Sequence, residues 1–134
     1  MTETVFARNE PVSNEELNAL RQAAWGGRQD ADWSVMFDRA FGWVTARRAG
    51  ELTGFVRLLW DGGVHLFLLD TTVHPDVQRQ GIGSRLVREA IAIARTTNCE
   101  WLHVDYEPRL EAFYTNAGFR PSHAGVIDLA APAD

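Results

Sequence analysis

Between residues 42 and 97 the apolar pattern changes period once, and no other feature of the chain restricts its fold as much. GWVTARR, ELTGFVRLLW and VHLFLLDTTV read as three successive strands. They are joined at Ala49–Gly50 and at Asp61–Gly62–Gly63 by residues that supply the positive φ of tight hairpins. This is an antiparallel meander. From Gly81 to about Thr97 the spacing becomes helical: Ile82, Leu86, Ala90 and Ile93 fall on one stripe, with Val87, Ile91 and Ala94 beside it. Arg85, Arg88, Glu89 and Arg95 take the wet side. WLHV, residues 101–104, returns as a strand, so a strand–helix–strand crossover is added to the meander and the sheet has mixed direction. VHLFLL has little alternation, the pattern of a central strand covered on both faces.

The flanking segments complete an α+β reading. VFARNE reads as an edge strand closed by Pro11, and Ser13 with Glu16 forms a capping box that opens a helix through about Trp25. Leu17, Leu20 and Ala24 are its buried stripe. GGRQDAD is a break, DWSVMFDRAF a second helix from about Asp32 to Phe41, and EPRLEAFYTNAG contains a short helix ending at Gly118. FRP and AGVIDL supply closing strand material. The 134 residues are expected to form one domain, 1–134. A formal charge of -5 excludes a dedicated nucleic-acid binder. Apolar runs too short to span a bilayer and a start, MTETVFARNE, without an apolar signal core point to a cytoplasmic protein with no membrane partner. The single cysteine, Cys99, excludes an internal disulfide and a thiolate cage, and no metal site is expected.

VHPDVQRQGIGSRL, residues 73–86, sets Gly81 and Gly83 one residue apart where strand gives way to helix. The first turn of a helix has free N–H groups and a partial positive charge, so it favours anions. Glycines there remove side chains that would hold a phosphate away. On the glycines alone two readings stay open: a phosphate cradle, or a turn at Gly81 with close packing at Gly83. A Walker loop would need G-x-x-x-x-G-K-[ST], and no Lys-Ser or Lys-Thr occurs; a dinucleotide fingerprint would need glycine at Leu86.

The same stretch resembles motif A of the GNAT N-acetyltransferase superfamily, [QR]-x-x-G-x-[GA] after a strand ending V-x-P, here Gln78, Arg79, Gln80, Gly81, Ile82 and Gly83. EAFYTNAGF, residues 111–119, is similar to that family's helix ending F-Y-x-x-x-G-F, and a strand lies between the two motifs. The resemblance covers residues 51–120, and the first 45 residues match in element order only. It implies a GNAT-like mixed, mostly antiparallel sheet, splayed between two parallel strands and flanked by about four helices. It implies acetyl-CoA (coenzyme A) as cofactor, its pyrophosphate on the amides of Arg79 through Ser84 and its pantetheine arm along Thr71, Thr72 and Val73. The splay is assigned to VHLFLLDTTV and WLHV.

The reaction implied is direct attack of a neutral primary amine, of a small molecule or of a peptide or protein, on the thioester in a ternary complex. Tyr114 occupies the position of the family's frequent general acid, and its reference pKa near 10 suits protonation of a leaving thiolate. Leu68 and Leu69 stand where some members keep a glutamate. The base is therefore open among Asp70, His65, His103, Asp105, Glu107 and direct entry of neutral amine. Glu107 stands where members often carry asparagine, and Pro108 follows it. The family's acceptor pocket maps to residues 25–41, where Trp25, Trp33, Phe37 and Phe41 form either an aromatic wall or, at 33, 37 and 41, a core stripe. Asp30, Asp32 and Asp38 would attract a cationic amine. The alternative function is a catalytically silent acyl-CoA-binding sensor or interaction module, and an exposed strand edge leaves room for a homodimer.

Overall fold

The computed structural model describes residues 3–132. Its elements, in chain order, are β1 (Thr4–Arg8), α1 (Asn14–Trp25), α2 (Ser34–Arg39), β2 (Ala40–Arg48), β3 (Glu51–Trp60), β4 (His65–Val73), α3 (Ile82–Ala94), β5 (Trp101–Val104) and α4 (Glu111–Ala117), with 3-10 turns at Pro75–Val77 and Pro108–Leu110. The strands lie in the order β1-β2-β3-β4-β5; every pair is antiparallel except β4 with β5, which is parallel. This is the α+β mixed sheet expected, with four α-helices among the described residues.

The helices divide between the two faces. The α3 stripe, Ile82, Leu86, Val87, Ala90 and Ile93, packs with Val44, Ala46, Val56, Leu58, Leu68 and Tyr114 into one core. Leu17 and Leu20 of α1 meet Leu52 and Phe55 in a second, with Trp33, Phe37 and Trp43 at its margin. The capping box forms as expected: the Ser13 hydroxyl accepts from the Glu16 amide at 3.1 Å and Glu16 accepts from the Ser13 amide at 2.9 Å. Glu16 also receives Arg47, which donates to Glu10 as well. The Arg47 hydrogen bond is the main cause holding Glu16 below its usual value, and the Thr45 hydroxyl is the main cause for Glu10.

Several expectations are corrected. The second helix stops at Arg39, because Ala40 pairs with Leu59 and the β2 ladder claims Phe41. FRP and AGVIDL are not strands: Arg120 to Pro132 is irregular and exposed throughout, with Val126, Ile127 and Leu129 at 78%, 85% and 92% exposure. The outer edge of β5 lies open, yet this segment forms no ladder with it. β4 is fully packed on one face only; Leu66 and Leu68 are buried while His65, Phe67 and Leu69 are half-buried. No helix among the described residues is long and apolar enough to cross a membrane.

Two features of β4 prepare the site. Opposite β3, Arg57 pairs with Leu69 and Phe55 with Thr72, so Asp70 and Thr71 face Val56 alone in a bulge where Asp70 has φ 60°. Opposite β5, pairing ends at Leu68 with Val104, although β4 runs on to Val73.

Two predictions concern stability. A Cβ at Gly54 would meet Leu86 Cδ1 at 2.9 Å, Ala46 Cβ at 3.1 Å and Ile82 Cγ2 at 3.2 Å. Gly54→Ala is expected to destabilise the fold by about 1–3 kcal/mol, read as a lower urea midpoint; an unchanged midpoint contradicts the packing. Folded-state values of Glu10 and Glu16 are depressed, so their contribution is present above the ordinary carboxylate range and is lost as pH falls through it. The melting temperature of the native chain should therefore fall more steeply on acidification than that of Arg47→Met.

Candidate active site

The chain leaves β4 through the turn Pro75–Val77, where the His74 ring accepts from the Asp76 amide at 3.1 Å and Val77 is buried at 5% exposure. Beyond it, Arg79 and Gly81 take left-handed conformations, φ 65° and 81°, on either side of Gln80. Ile82 then enters the core at 4% exposure and anchors the start of α3. Six successive amides, Arg79, Gln80, Gly81, Ile82, Gly83 and Ser84, donate to no acceptor among the described residues. The first helical bond here runs from the Arg85 amide to the Gly81 carbonyl at 3.0 Å. Orphan amides carrying the positive end of a helix dipole form an anion seat.

The two glycines differ in purpose. A Cβ at Gly81 would meet nothing within 4 Å, but its φ of 81° disfavours any side chain. A Cβ at Gly83 would sit 3.4 Å from the Phe113 ring and 3.5 Å from Val73, so Gly83 lets α3 close onto α4 and β4. Gly81 thus makes the turn into the helix and Gly83 permits close packing, the second of the two readings the glycines alone left open. Gln78, Arg79, Gln80 and Ser84 are exposed around the loop. The Gln78 side-chain amide donates to the Val73 carbonyl at 3.2 Å and ties the loop to the end of β4.

Thr71, Thr72 and Val73 lie past the last β5 contact, on a stretch of β4 that pairs with β3 and leaves its β5-facing edge open. Thr72 is buried at 2% exposure and its hydroxyl donates to the Asp70 carbonyl at 2.9 Å, which fastens the bulge; Thr71 and Val73 are half-buried. Across the opening, Tyr106 follows β5 and stacks on Tyr114, centroids 4.8 Å apart. Phe113 and Phe119 hold the Tyr114 ring edge-on. The ring is 6% exposed, yet its hydroxyl has no protein partner among the described residues and is not a sealed atom. A phenol fixed by its ring and open at its oxygen can give a proton to a ligand.

The candidate bases fare differently. Asp70 is held by Arg57 Nε at 2.5 Å and by Arg21 Nη1 at 3.4 Å. His65 and His103 bond to each other, Nδ1 to Nε2 at 2.7 Å, in the paired half of β4 and β5 and away from the opening. Glu107 pairs with exposed Arg109 at 2.8 Å, and Pro108 starts a 3-10 turn before α4. Asp105 is exposed just past β5. Of the acceptor-side aromatics, Trp33 and Phe37 join the second core, whereas Trp25 and Phe41 are exposed at 55% and 40%. Asp32 accepts from the Ser34 amide and hydroxyl at the start of α2. The sequence reading missed Arg21, Arg57 and Tyr106; the first two carry no local signal, while Tyr106 could have been flagged as an aromatic two residues past the crossover strand.

Comparison with known proteins agrees with this geometry. A family model described as Acetyltransferase (GNAT) family matches residues 7–119. The uncharacterized N-acetyltransferase ycf52 of Gracilaria tenuistipitata var. liui is 31% identical over 125 residues, covering 88% of this chain and 68% of that protein. Mycothiol acetyltransferase of Mycolicibacterium vanbaalenii is 34% identical over 65 residues, 48% of this chain; the chain spans only 22% of that protein's length. Among solved structures, a GNAT family acetyltransferase from Streptococcus pneumoniae TIGR4 superposes with a TM-score of 0.80 at 25% identity, covering 97% of this chain and 100% of the other. A left-handed glycine loop with unbonded amides, a strand that outruns its parallel neighbour and a family match spanning both place this chain in the GNAT acetyltransferase family, which uses acetyl-CoA.

Proposed function

We propose that the protein transfers the acetyl group of acetyl-CoA to a primary amine of a small molecule or peptide by direct attack in a ternary complex. The six amides from Arg79 to Ser84 without a protein acceptor carry this reading, since donors gathered at a helix start suit an anion and a diphosphate supplies enough oxygens. The open β5-facing edge at Thr71–Val73 extends the seat toward the bulge, where an extended arm with amide groups would complete the ladder that β5 abandons. Bound there, acetyl-CoA supplies an acyl group activated by a thiol leaving group.

The chain's own residues then have separate tasks. Gly81 keeps the loop in its left-handed turn, and Gln78 fixes that loop to β4. Tyr114 holds a proton at its phenolic oxygen for the departing sulfur. With acetyl-CoA held there, the amine nitrogen would bond to the acetyl carbon as the carbon–sulfur bond breaks, the thiolate would take the proton Tyr114 holds, and the proton lost by nitrogen would return through water to the phenolate. Asp70 is not assigned as base, because both its oxygens already accept from guanidinium groups. A cytoplasmic setting and a homodimer belong to the same proposal, the latter supported by the open β5 edge beside Trp101 and by exposed Val126, Ile127 and Leu129.

Calorimetry with acetyl-CoA, followed by thiol release over a panel of primary amines, tests the assignment. Saturable heat with thiol release supports a transferase; heat without release on any amine supports the silent acyl-CoA-binding module instead. Tyr114→Phe should lower turnover by about 100-fold with cofactor affinity little changed, and full activity would remove Tyr114 from the chemistry. Gly81→Val should weaken acetyl-CoA binding at least about tenfold while the far-ultraviolet spectrum stays native, because a β-branched residue resists φ 81° and disturbs the seat.

A further inference from the structure

On the face of the sheet turned toward α1, three side chains from three elements converge beside the bulge. Arg57 lies on β3, Asp70 on β4 and Arg21 on α1. Asp70 gives one oxygen to each arginine, Oδ2 to Arg57 Nε at 2.5 Å and Oδ1 to Arg21 Nη1 at 3.4 Å. The cluster therefore holds two cations and one anion. Neither arginine has a second acidic partner among the described residues. Their side chains are 16% and 24% exposed, and Arg21 Nε is sealed from solvent without an acceptor. An excess positive charge in a recess costs free energy that the protein does not recover for itself.

Arg21 is also pre-oriented. Its guanidinium lies over the Trp33 ring at 5.0 Å. Trp33 is fixed in turn, its indole donating to Asn18 at 2.9 Å and its backbone amide to Asn14 at 2.9 Å. A flexible surface arginine would need no such clamp. Arg57 uses only its Nε toward Asp70, leaving both terminal nitrogens of its fork without a protein acceptor among the described residues. A half-buried fork of this kind matches a carboxylate in shape and charge.

The cluster's place in the sheet relates it to the reaction. Asp70 stands two residues beyond Leu68, the last β4 residue paired with β5. Phe55, on the same side of β3 as Arg57, packs under α1, whereas Tyr114 and the α3 stripe form the core of the opposite face. The glycine loop and the arginines therefore lie on opposite sides of the sheet, and the gap between β4 and β5 joins them.

We infer that Arg21 and Arg57 bind the carboxylate of the acceptor, so that the amine acetylated by this protein belongs to an amino carboxylic acid, such as a free amino acid or short peptide. This rests on the transferase reading above and adds the class of its acceptor. The same net charge repels polyamines and aminoglycoside-like polycations, which gives the site a negative as well as a positive criterion. In the α1–α2 connection Asp30 pairs with Arg28 and Asp32 bonds to Ser34 and Asn14, and neither carboxylate pairs with Arg21 or Arg57.

Matched acceptors test it in the unaltered protein. The common L-amino acids and dipeptides are compared with their carboxamides, and with spermidine, by thiol release at saturating acetyl-CoA. The acids should exceed their carboxamides in kcat/KM by about tenfold or more, the scale of one or two charge-assisted hydrogen bonds. Arg21→Gln should raise KM for the best acid with a smaller effect on kcat and bring the acid-to-carboxamide ratio toward one, and Arg21→Lys should restore part of that ratio. Carboxamides or spermidine acetylated as well as the acids would overturn the inference while leaving the transferase reading intact. Acetyl-CoA binding with no acceptor of any kind turned over would remove both.

Discussion

A single residue of β4 decides how the rest of this structure can work. Asp70 sits at φ 60°, in a bulge where it and Thr71 oppose Val56. Aspartate tolerates the left-handed region better than most residues, but at a cost of about 1–2 kcal/mol relative to extended backbone. The Thr72 hydroxyl bonded to the Asp70 carbonyl and the two arginines on its carboxylate offset that cost. Pairing with β5 stops at Leu68, two residues before Asp70, where β5 itself ends at Val104. What remains is a strand end paired with β3 whose other edge is open, inside the sheet rather than at its rim.

The glycine loop uses the same device on a smaller scale. Left-handed residues at 79 and 81 turn the chain so abruptly that α3 begins before any earlier carbonyl can serve its first amides. Ile82 locks that start into the core, so the orphan donors are held still rather than being frayed. Rigid orphan groups are costly to leave unmet and effective when a ligand meets them. Close packing of Gly83 against Phe113 links the loop to α4, and through α4 to Tyr114, so the anion seat and the phenol share one rigid body.

How much of this was legible depended on how far each signal reached along the chain. The meander, the capping box at Ser13 and Glu16 and the α3 stripe were readable because hairpins, caps and amphipathic periods are written within a few neighbouring residues. The left-handed role of Gly81 was readable for the same reason. The pairing of Asp70 with Arg57 and Arg21 was not, because those partners lie 13 and 49 residues away and meet only once strand register and helix placement are set. Phe41 misled because a helical spacing of aromatics cannot reveal that a β ladder will outbid the last helical turn. AGVIDL misled in the opposite sense: its pattern suits a strand, but pattern alone provides no edge to pair with.

The placement of Tyr114 shows why a core residue and a functional one need not be alternatives. Its ring is stacked on Tyr106 and enclosed edge-on by Phe113 and Phe119, which leaves almost no freedom about either side-chain torsion. Burial of the ring thereby aims the hydroxyl, which has no protein partner among the described residues and is not sealed from solvent. A phenol on a flexible side chain would spend part of the transition-state stabilisation on being positioned; here packing has done so during folding. Asp70 makes the contrasting case. Its carboxylate is equally well positioned, but both oxygens are engaged, so its position serves the arginines beside it rather than a proton transfer of its own.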